Sequence, residues 1–414
     1  MEKITLLTNK RIILAVTGSI AVYKAVDLAS KLTQAGALVD VIMTSAAREF
    51  VTPLTFQSVT GRPVYTDLWK ADSSGALPTH IAHVGLGEGA DLLTVIPATA
   101  NTLAKLAHGL ADDLLSVTAL AARCPLLIAP AMDGGMYSHP ATQANLETLI
   151  QRGAILIPPE EGRFASGLVG LGRLPETPTL IGHIRRALAQ NGSLAGRKIV
   201  VSAGGTREPI DPVRYITNRS SGKQGYAITQ AALDAGAREV ILISTVDLPL
   251  PLGATLIPVG SAESMLTAVL QHTTNTDALI MAAAVADFRP AAVAEQKIKK
   301  KEDDNSGLTL NLTRNSDILL AIKQQREQTG SPRVVVGFAA ESENLLKNAQ
   351  SKLDRKGLDL LVANDISATD AGFAVDTNRV ILLDSSGQTP LPLTTKTLVG
   401  EAIIAHIAAL LPVQ

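Results

Sequence analysis

The sequence predicts an α/β architecture of two doubly wound, Rossmann-like domains, and three observations carry that expectation. Short runs of Val, Ile, Leu and Ala alternate with Ala-rich helical stretches along the chain, the pattern of βαβ units around a parallel sheet buried on both faces. The series starts twice, once at Arg11 and again at Lys198. The chain's 414 residues also exceed what one hydrophobic core usually sustains.

In the first half, Arg11–Thr17 (RIILAVT), Leu38–Met43 (LVDVIM), Leu92–Pro97 (LLTVIP) and Leu126–Pro130 (LLIAP) read as buried parallel strands. Ala21–Ala35 reads as the first connecting helix and stops at Gly36, as a glycine beyond a helix C-terminus should. The polar stretch Gln190–Gly196 (QNGSLAG) stops a helix and turns the chain, which puts the domain boundary between 1–190 and 191–414.

The second half restarts with Lys198–Ser202 (KIVVS), followed by Val240–Ser244, Ala278–Ala283, Arg333–Gly337 and Leu358–Ala363 as its strands. Each half opens with a strand, a glycine turn and a helix closing on Ala-Gly-Ala, at Ala35–Ala37 and Ala235–Ala237. A shared open-sheet plan is sufficient reason for that echo. Asp72–Ser74 and the charged run Glu295–Gly307 read as loops.

Composition narrows the function. Thirty-seven basic residues against 38 acidic give a formal charge of -1, which argues against an electrostatic nucleic-acid binder. A charged fraction of 18% beside abundant aliphatic residues excludes a disordered chain. No apolar run approaches the ~18 residues a membrane span needs, and the opening residues lack a signal-peptide pattern. Cys124 is the only cysteine, so neither an intrachain disulfide nor a Cys-based zinc site can form. The expectation is a cytoplasmic protein without membrane or nucleic-acid partners.

Open α/β sheets bind ligands beyond the carboxyl ends of their strands. Gly18 and Ser19 stand there after the first strand, where helix N-terminal N–H groups suit a phosphate. Thr44-Ser45-Ala46, Pro97–Thr102 (PATANT) and Pro130–Tyr137 (PAMDGGMY) follow other strands, and small polar tips of this kind suit a planar cofactor. His83, in the connection before Leu92, is the general-base candidate because histidine titrates near neutrality.

GSIAVYK (18–24), HVGLGEGAD (83–91), PATANT (97–102), PAMDGGMY (130–137) and ASGLVGLGR (165–173), in this order, resemble the flavin-containing cysteine decarboxylases, within them the phosphopantothenoylcysteine decarboxylases. The resemblance implies a flavodoxin-like flavoprotein domain with FMN at Gly18, Ser19, Ile20, Ser45, Pro97, Ala98, Thr99 and Asn101. It makes His83 the catalytic histidine and places Asp133, Met136 and Arg173 against the substrate. The implied chemistry is oxidation of a cysteine thiol to a thioaldehyde, loss of CO2 and reduction of the resulting enethiol.

Two positions depart from the family pattern. Asp133 stands where the family asparagine binds the substrate carboxylate, and an ionised carboxyl there would repel it by roughly 4 kcal/mol at 4 Å. Ser166 stands in the substrate clamp where the family has its proton-donating cysteine, and a hydroxyl is a far weaker acid than a thiol.

In the second half, Ser202–Gly225 (SAGGTREPIDPVRYITNRSSGKQG) is rich in Gly, Ser and Arg directly after a strand and reads as a functional loop rather than a buried segment. Arg207, Arg214, Arg219 and Lys223 could neutralise phosphates. Asp287 follows a strand where a ribose hydroxyl or a metal ion would lie, and Asn315–Ile318 offers a helix cap. Lys352 and Lys356 share one helical face.

SAGGTREPID, RYITNRSSGKQG, AAAVADF, KIKK, NSDIL and VGFAAE together are similar to the phosphopantothenate–cysteine ligases. The resemblance implies activation of the 4′-phosphopantothenate carboxylate by CTP with Mg2+, then opening of the acyl-cytidylate by cysteine. It assigns Asn218 to the acyl-cytidylate stage. It assigns Met281, Ala282, Ala283, Asp287, Lys297, Asn315, Ser316, Asp317, Ile318, Phe338, Lys352 and Lys356 to the nucleotide, and leaves the Mg2+ ligands unspecified. It also implies a homo-oligomer, with trimers of the first domain joined by ligase dimers into a dodecamer. The alternative is an active ligase fused to a flavin-binding regulatory or interaction module without decarboxylase activity.

Overall fold

The computed structural model describes residues 3–69, 82–164, 166–299, 308–341, 345–365 and 375–412. The loop expected at Asp72–Ser74, and residues 300–307 of the charged run, lie outside them. The chain forms two compact units, Met1–Ala189 and Gln190–Gln414.

The first unit carries a six-stranded parallel sheet built from β1 (Arg11–Val16), β2 (Leu38–Met43), β3 (Val64–Tyr65), β4 (Leu92–Ala98), β5 (Leu126–Pro130) and β6 (Ile155–Leu156), in the order β3-β2-β1-β4-β5-β6. Without the two-residue edge strand β3, that is the flavodoxin-like order 2-1-3-4-5. An antiparallel hairpin, β7 (Glu160–Arg163) with β8 (Val169–Arg173), follows. The helices are α1 (Val22–Gln34), α2 (Ser45–Arg48), α3 (Pro53–Thr60), α4 (Ala82–Glu88), α5 (Ala100–His108), α6 (Leu114–Ala121), α7 (Gly134–Tyr137), α8 (Pro140–Gln151) and α9 (Thr177–Ala189).

Alternate residues of β1 enter opposite layers, as the strand's twofold period requires. Ile12, Leu14 and Val16 pack with Leu28 and Leu32 of α1 and Leu180 and Ile184 of α9. Ile13 and Ala15 pack with Leu86, Leu103, Leu115 and Leu149 on the other face. Burying each large aliphatic side chain contributes about 1.5–3 kcal/mol, so helices on both faces are held by the same strands.

The second unit's sheet has eight strands: β9 (Lys198–Ala203), β12 (Glu239–Ser244), β13 (Ala254–Pro258), β14 (Ala278–Met281), β17 (Val334–Glu341), β18 (Leu360–Asp365), β19 (Thr377–Asp384) and β20 (Gly387–Thr395). Two small hairpins stand apart from it: β10 (Arg207–Pro209) with β11 (Tyr215–Thr217), and β15 (Phe288–Pro290) with β16 (Leu312–Arg314). The sheet order is β13-β12-β9-β14-β17-β18-β19-β20. Its six parallel strands follow the same third-second-first-fourth-fifth-sixth order as the first unit, which accounts for the echo in the sequence. The helices are α10 (Lys223–Asp234), α11 (Ala262–His272), α12 (Ile318–Thr329), α13 (Leu345–Lys356) and α14 (Lys396–Leu410).

β19 and β20 are antiparallel, an addition the sequence reading did not foresee. The eight residues of β19 bury on alternate positions over part of their length, and β20 is mostly exposed with two prolines, the marks of a sheet edge.

Candidate active sites

In the first unit the strand tips are stitched together. Thr17 Oγ1 donates to the Pro97 carbonyl at 2.6 Å and accepts from the Thr99 N–H at 3.1 Å, joining β1 to β4. Ser19 Oγ reaches the Ala131 carbonyl beyond β5 at 3.3 Å, and Thr44 Oγ1 reaches Val16 O at 3.4 Å. The ring so formed stands where β1 lies between β2 and β4, the point where strand order reverses.

Gly18 sits so close to α2 that a Cβ there would come 2.5 Å from Ala46 Cβ. Ile20 is exposed, as are Ser45 and Asn101, while Pro97 and Ala98 belong to the buried end of β4 and Thr99 caps α5. These residues share one edge of the sheet and not one enclosed cavity: Ser45 lines a space of about 180 Å³ beside Trp69 and Asp112–Leu115.

His83 lies on the first turn of α4, half-buried, where the sequence reading placed a loop. Asp133 caps α7, its Oδ1 accepting from the Gly135 N–H at 3.1 Å. Its Oδ2 accepts from the Ser166 hydroxyl at 2.8 Å, so the two positions that depart from the family pattern touch each other. Asp133 also lines a cavity of about 600 Å³ together with Tyr137, Phe164, Leu168, Val169 and Leu171, and His83 is not among its lining residues. Met136 is exposed, and Arg173 pairs with Glu176 at 2.9 Å. Cys124 is half-buried, and burial pushes its thiol above the ordinary range.

The second unit holds a cavity of about 980 Å³ at the carboxyl-end side of β14, β17 and β18. Of the nucleotide candidates, Met281, Ala282, Ala283, Asp287, Asn315, Ser316, Asp317, Ile318, Phe338, Lys352 and Lys356 line it, together with Asn218. Lys297 does not, and its side chain is exposed.

Hydrogen bonds of main chain and side chains tie the cavity's loops together. Ala284 N–H donates to Gly204 O at 2.8 Å, Ala286 N–H to Thr206 Oγ1 at 2.9 Å and Ala283 N–H to Ser202 Oγ at 3.1 Å. Asn218 Nδ2 donates to Val285 O at 3.1 Å, and Asn315 Nδ2 to Ala286 O at 2.8 Å. Asp317 caps α12 through the Leu319 and Leu320 N–H groups and meets Lys356 Nζ at 3.0 Å. Lys352 Nζ donates to Phe338 O at 2.8 Å. The two lysines four residues apart thus turn into the cavity rather than to solvent.

The glycine-rich stretch after β9 departs from its reading as an unburied loop. Thr206, Glu208 and Asp211 are buried, and each has polar partners. Glu208 Oε1 accepts the Ala262 N–H at the start of α11, where the helix dipole favours an anion. Among the expected phosphate cations, Arg214 is paired with Asp211, Arg207 stacks 5.6 Å from the Tyr215 ring and Lys223 pairs with Asp376 at 2.6 Å. Arg219 lines the cavity.

Gln224, Asn364, Asn378 and Lys396 also line the cavity. Gln224 lies inside the glycine-rich stretch but carries no charge to mark it, whereas Asn364, Asn378 and Lys396 stand far along the chain and only the folded sheet brings them there. Lys396 carried one readable signal, a lysine in the first turn of a helix, where the dipole disfavours a cation. It is buried, and burial and then the Lys223 ammonium push its own ammonium below the usual lysine range while Asp376 opposes the shift. Asn364 Oδ1 is buried without a hydrogen-bond partner.

Comparison with known proteins agrees with this division. The family model described as "Flavoprotein" matches residues 2–189, and that described as "DNA/pantothenate metabolism flavoprotein C-terminal domain" matches residues 194–411. The coenzyme A biosynthesis bifunctional protein CoaBC of Bacillus subtilis is 46% identical over 409 residues, 98% of each chain. The chain belongs to this bifunctional CoaBC family. Its members from Vibrio cholerae (43% identical, covering 96% of this chain and 98% of that protein) and Mycobacterium bovis (46%, covering 97% of each) match along the same length.

Among solved structures, the C-terminal domain of a CoaBC protein is 38% identical over 53% of this chain and 97% of its own, with a TM-score of 0.44. The FMN-dependent cysteine decarboxylase SpaF is 35% identical over 42% and 95%, with a TM-score of 0.36. As a CoaBC member, the chain is a bifunctional enzyme of coenzyme A biosynthesis, a flavoprotein decarboxylase joined to a phosphopantothenate–cysteine ligase. A ligase carrying a non-catalytic flavin module finds no support among these full-length relatives. Among the described residues no helix is long and apolar enough to cross a membrane.

Proposed function

We propose that the second unit joins cysteine to 4′-phosphopantothenate at the 980 Å³ cavity and that the first unit decarboxylates the product at the β1–β4–β5 tips. The observation that carries this reading is the gathering, in one cavity, of every assigned nucleotide residue except Lys297, with Asn218 beside them. CTP lies along Met281–Ala283 and Asn315–Ile318, its phosphates toward Lys352 and Lys356. The carboxylate of 4′-phosphopantothenate attacks the α-phosphate, pyrophosphate leaves, and the mixed anhydride forms. Asn218, anchored through Nδ2 to Val285 O, orients the acyl group while the cysteine amine displaces CMP.

Mg2+ accompanies the triphosphate in this scheme. Among the described residues no three His, Cys, Asp or Glu side chains gather to hold a metal. One carboxylate, Asp287, with oxygens from the substrate phosphates suits a hard cation that keeps several waters.

For the first unit, the ring of small hydroxyl-bearing strand tips fits a flavin mononucleotide, whose phosphate Ser19 and the N–H groups at the start of α1 would hold. FMN, when bound, supplies the two-electron oxidation of the substrate thiol and the matching reduction after CO2 loss. His83 takes the proton of the substrate thiol. Ser166 donates its hydroxyl to Asp133 Oδ2, which ties the Asp133 carboxyl to the connection between β7 and β8.

Replacing Asn218 with Ala tests the ligase assignment: acyl-cytidylate and pyrophosphate should form while amide product falls at least about a hundredfold. Full amide formation by Asn218→Ala would remove Asn218 from the chemistry.

A further inference from the structure

Lys297 is the one assigned nucleotide residue outside the cavity, and the structure supplies a device that holds its segment. Asp211, with a fully buried side chain, closes the turn between β10 and β11 with Oδ1, which accepts the Val213 and Arg214 N–H groups at 2.8 Å each. Its other oxygen points elsewhere. Oδ2 accepts the Ile298 N–H at 3.2 Å and the Arg214 Nε–H at 2.9 Å, while Arg214 Nη2 donates to Ile298 O at 2.7 Å.

One aspartate and one arginine therefore satisfy both main-chain polar groups of Ile298, the residue after Lys297. Ala294 N–H adds a bond to Ile210 O at 3.0 Å. The Arg214 guanidinium, with the N–H donors, holds the Asp211 carboxyl far below the usual range, so the clasp is charged at all physiological pH. The short strand β11 begins directly after Arg214 and leads into Asn218, which lines the cavity.

We propose that Asp211, directly and through Arg214, is a positioning residue of the ligase, fixing the Lys297 segment against the strand that leads into Asn218. Triphosphate and acyl group are thereby presented at a set spacing. The inference rests on the assignment of Lys297 to the triphosphate.

The two oxygens of Asp211 separate this role from a purely structural one. Asp211→Asn keeps an acceptor for the turn and puts an amide where Ile298 and Arg214 need an acceptor. In the full-length chain it should raise the KM for CTP about tenfold, the scale of one lost charge-assisted hydrogen bond, with kcat changed far less. Tryptic cleavage after Lys297 should accelerate. Lys297→Met should raise the same KM, and the double variant should be no worse than Lys297→Met alone, since both remove one contact.

Wild-type KM in Asp211→Asn, or effects that add fully in the double variant, would overturn the clasp while leaving Lys297 in place. An unchanged KM in Lys297→Met would overturn the assignment beneath it and the clasp with it. Should Asp211→Asn fail to fold, hydrogen exchange of the Ile298 amide in the native chain decides: protection supports the clasp, and free exchange overturns it.

Discussion

Single residues carry most of the chemistry, and their legibility varied with distance along the chain. The Asn315–Ile318 cap was readable because it opens a helix, and Asp287 because it stands in the segment after a buried strand, while Asn218 was named only through the family resemblance. Lys396 and Asn378 were not readable, because only the folded sheet edge brings them to the cavity. Gly205 is a case where backbone approach explains the residue: a Cβ there would meet the Asn218 carbonyl at 2.5 Å. Gly205→Ala must push Asn218 outward, so it should cost about 1–3 kcal/mol of stability and lower ligation far more than pyrophosphate formation. Equal loss in both steps would show that the shift is not local to Asn218. At the clamp, the Ser166–Asp133 hydrogen bond joins two residues read separately from sequence. Ser166→Cys restores the more acidic donor and should speed the reductive half of decarboxylation in rapid-mixing measurements of flavin absorbance. An unchanged rate would place the proton donor elsewhere.

At the level of elements, the central parallel strands were legible because burial on both faces writes continuous aliphatic runs, whereas the short or less buried edge strands β3, β6 and β13 were not, and β17 runs on to Glu341 past its expected end at Gly337. β19 and β20 were not, since an edge hairpin with prolines and alternating polarity resembles a loop in sequence. Their turn depends on Asp384, which accepts the Ser386 hydroxyl and N–H, the Gly387 N–H and His406 Nε2 at 2.6–3.0 Å. The Ser386 hydroxyl, with its amide and His406 and against the effect of burial, holds the Asp384 carboxyl below its ordinary value. A carboxyl depressed in the folded state stabilises above its unfolded pKa near 4 and loses that contribution as pH falls through the folded value. Asp384→Asn should therefore melt a few degrees lower than wild type at neutral pH, and the gap should close below about pH 4. A gap that persists in acid would assign the effect to packing instead. The same reasoning explains the buried polar residues after β9: Glu208 and Asp211 persist inside because helix α11 and Arg214 supply what their low hydrophobic content does not.

On the scale of the whole molecule, the two units carry parallel strands in one order, third-second-first-fourth-fifth-sixth, and in the second the large cavity lies at the carboxyl-end side of β14, β17 and β18. Length and the restart of the strand series made the two units legible in the sequence. The pairing of reactions did not come from composition; it came from motif order and from full-length relatives that carry both activities. The central claim is that one chain performs both steps, and it is tested by giving the purified, FMN-loaded protein 4′-phosphopantothenate, cysteine and CTP while following pyrophosphate and CO2 separately. The account predicts that pyrophosphate appears first and CO2 follows in equal final amount, with CO2 alone abolished in His83→Asn. Pyrophosphate without CO2 from the loaded wild-type enzyme would contradict it.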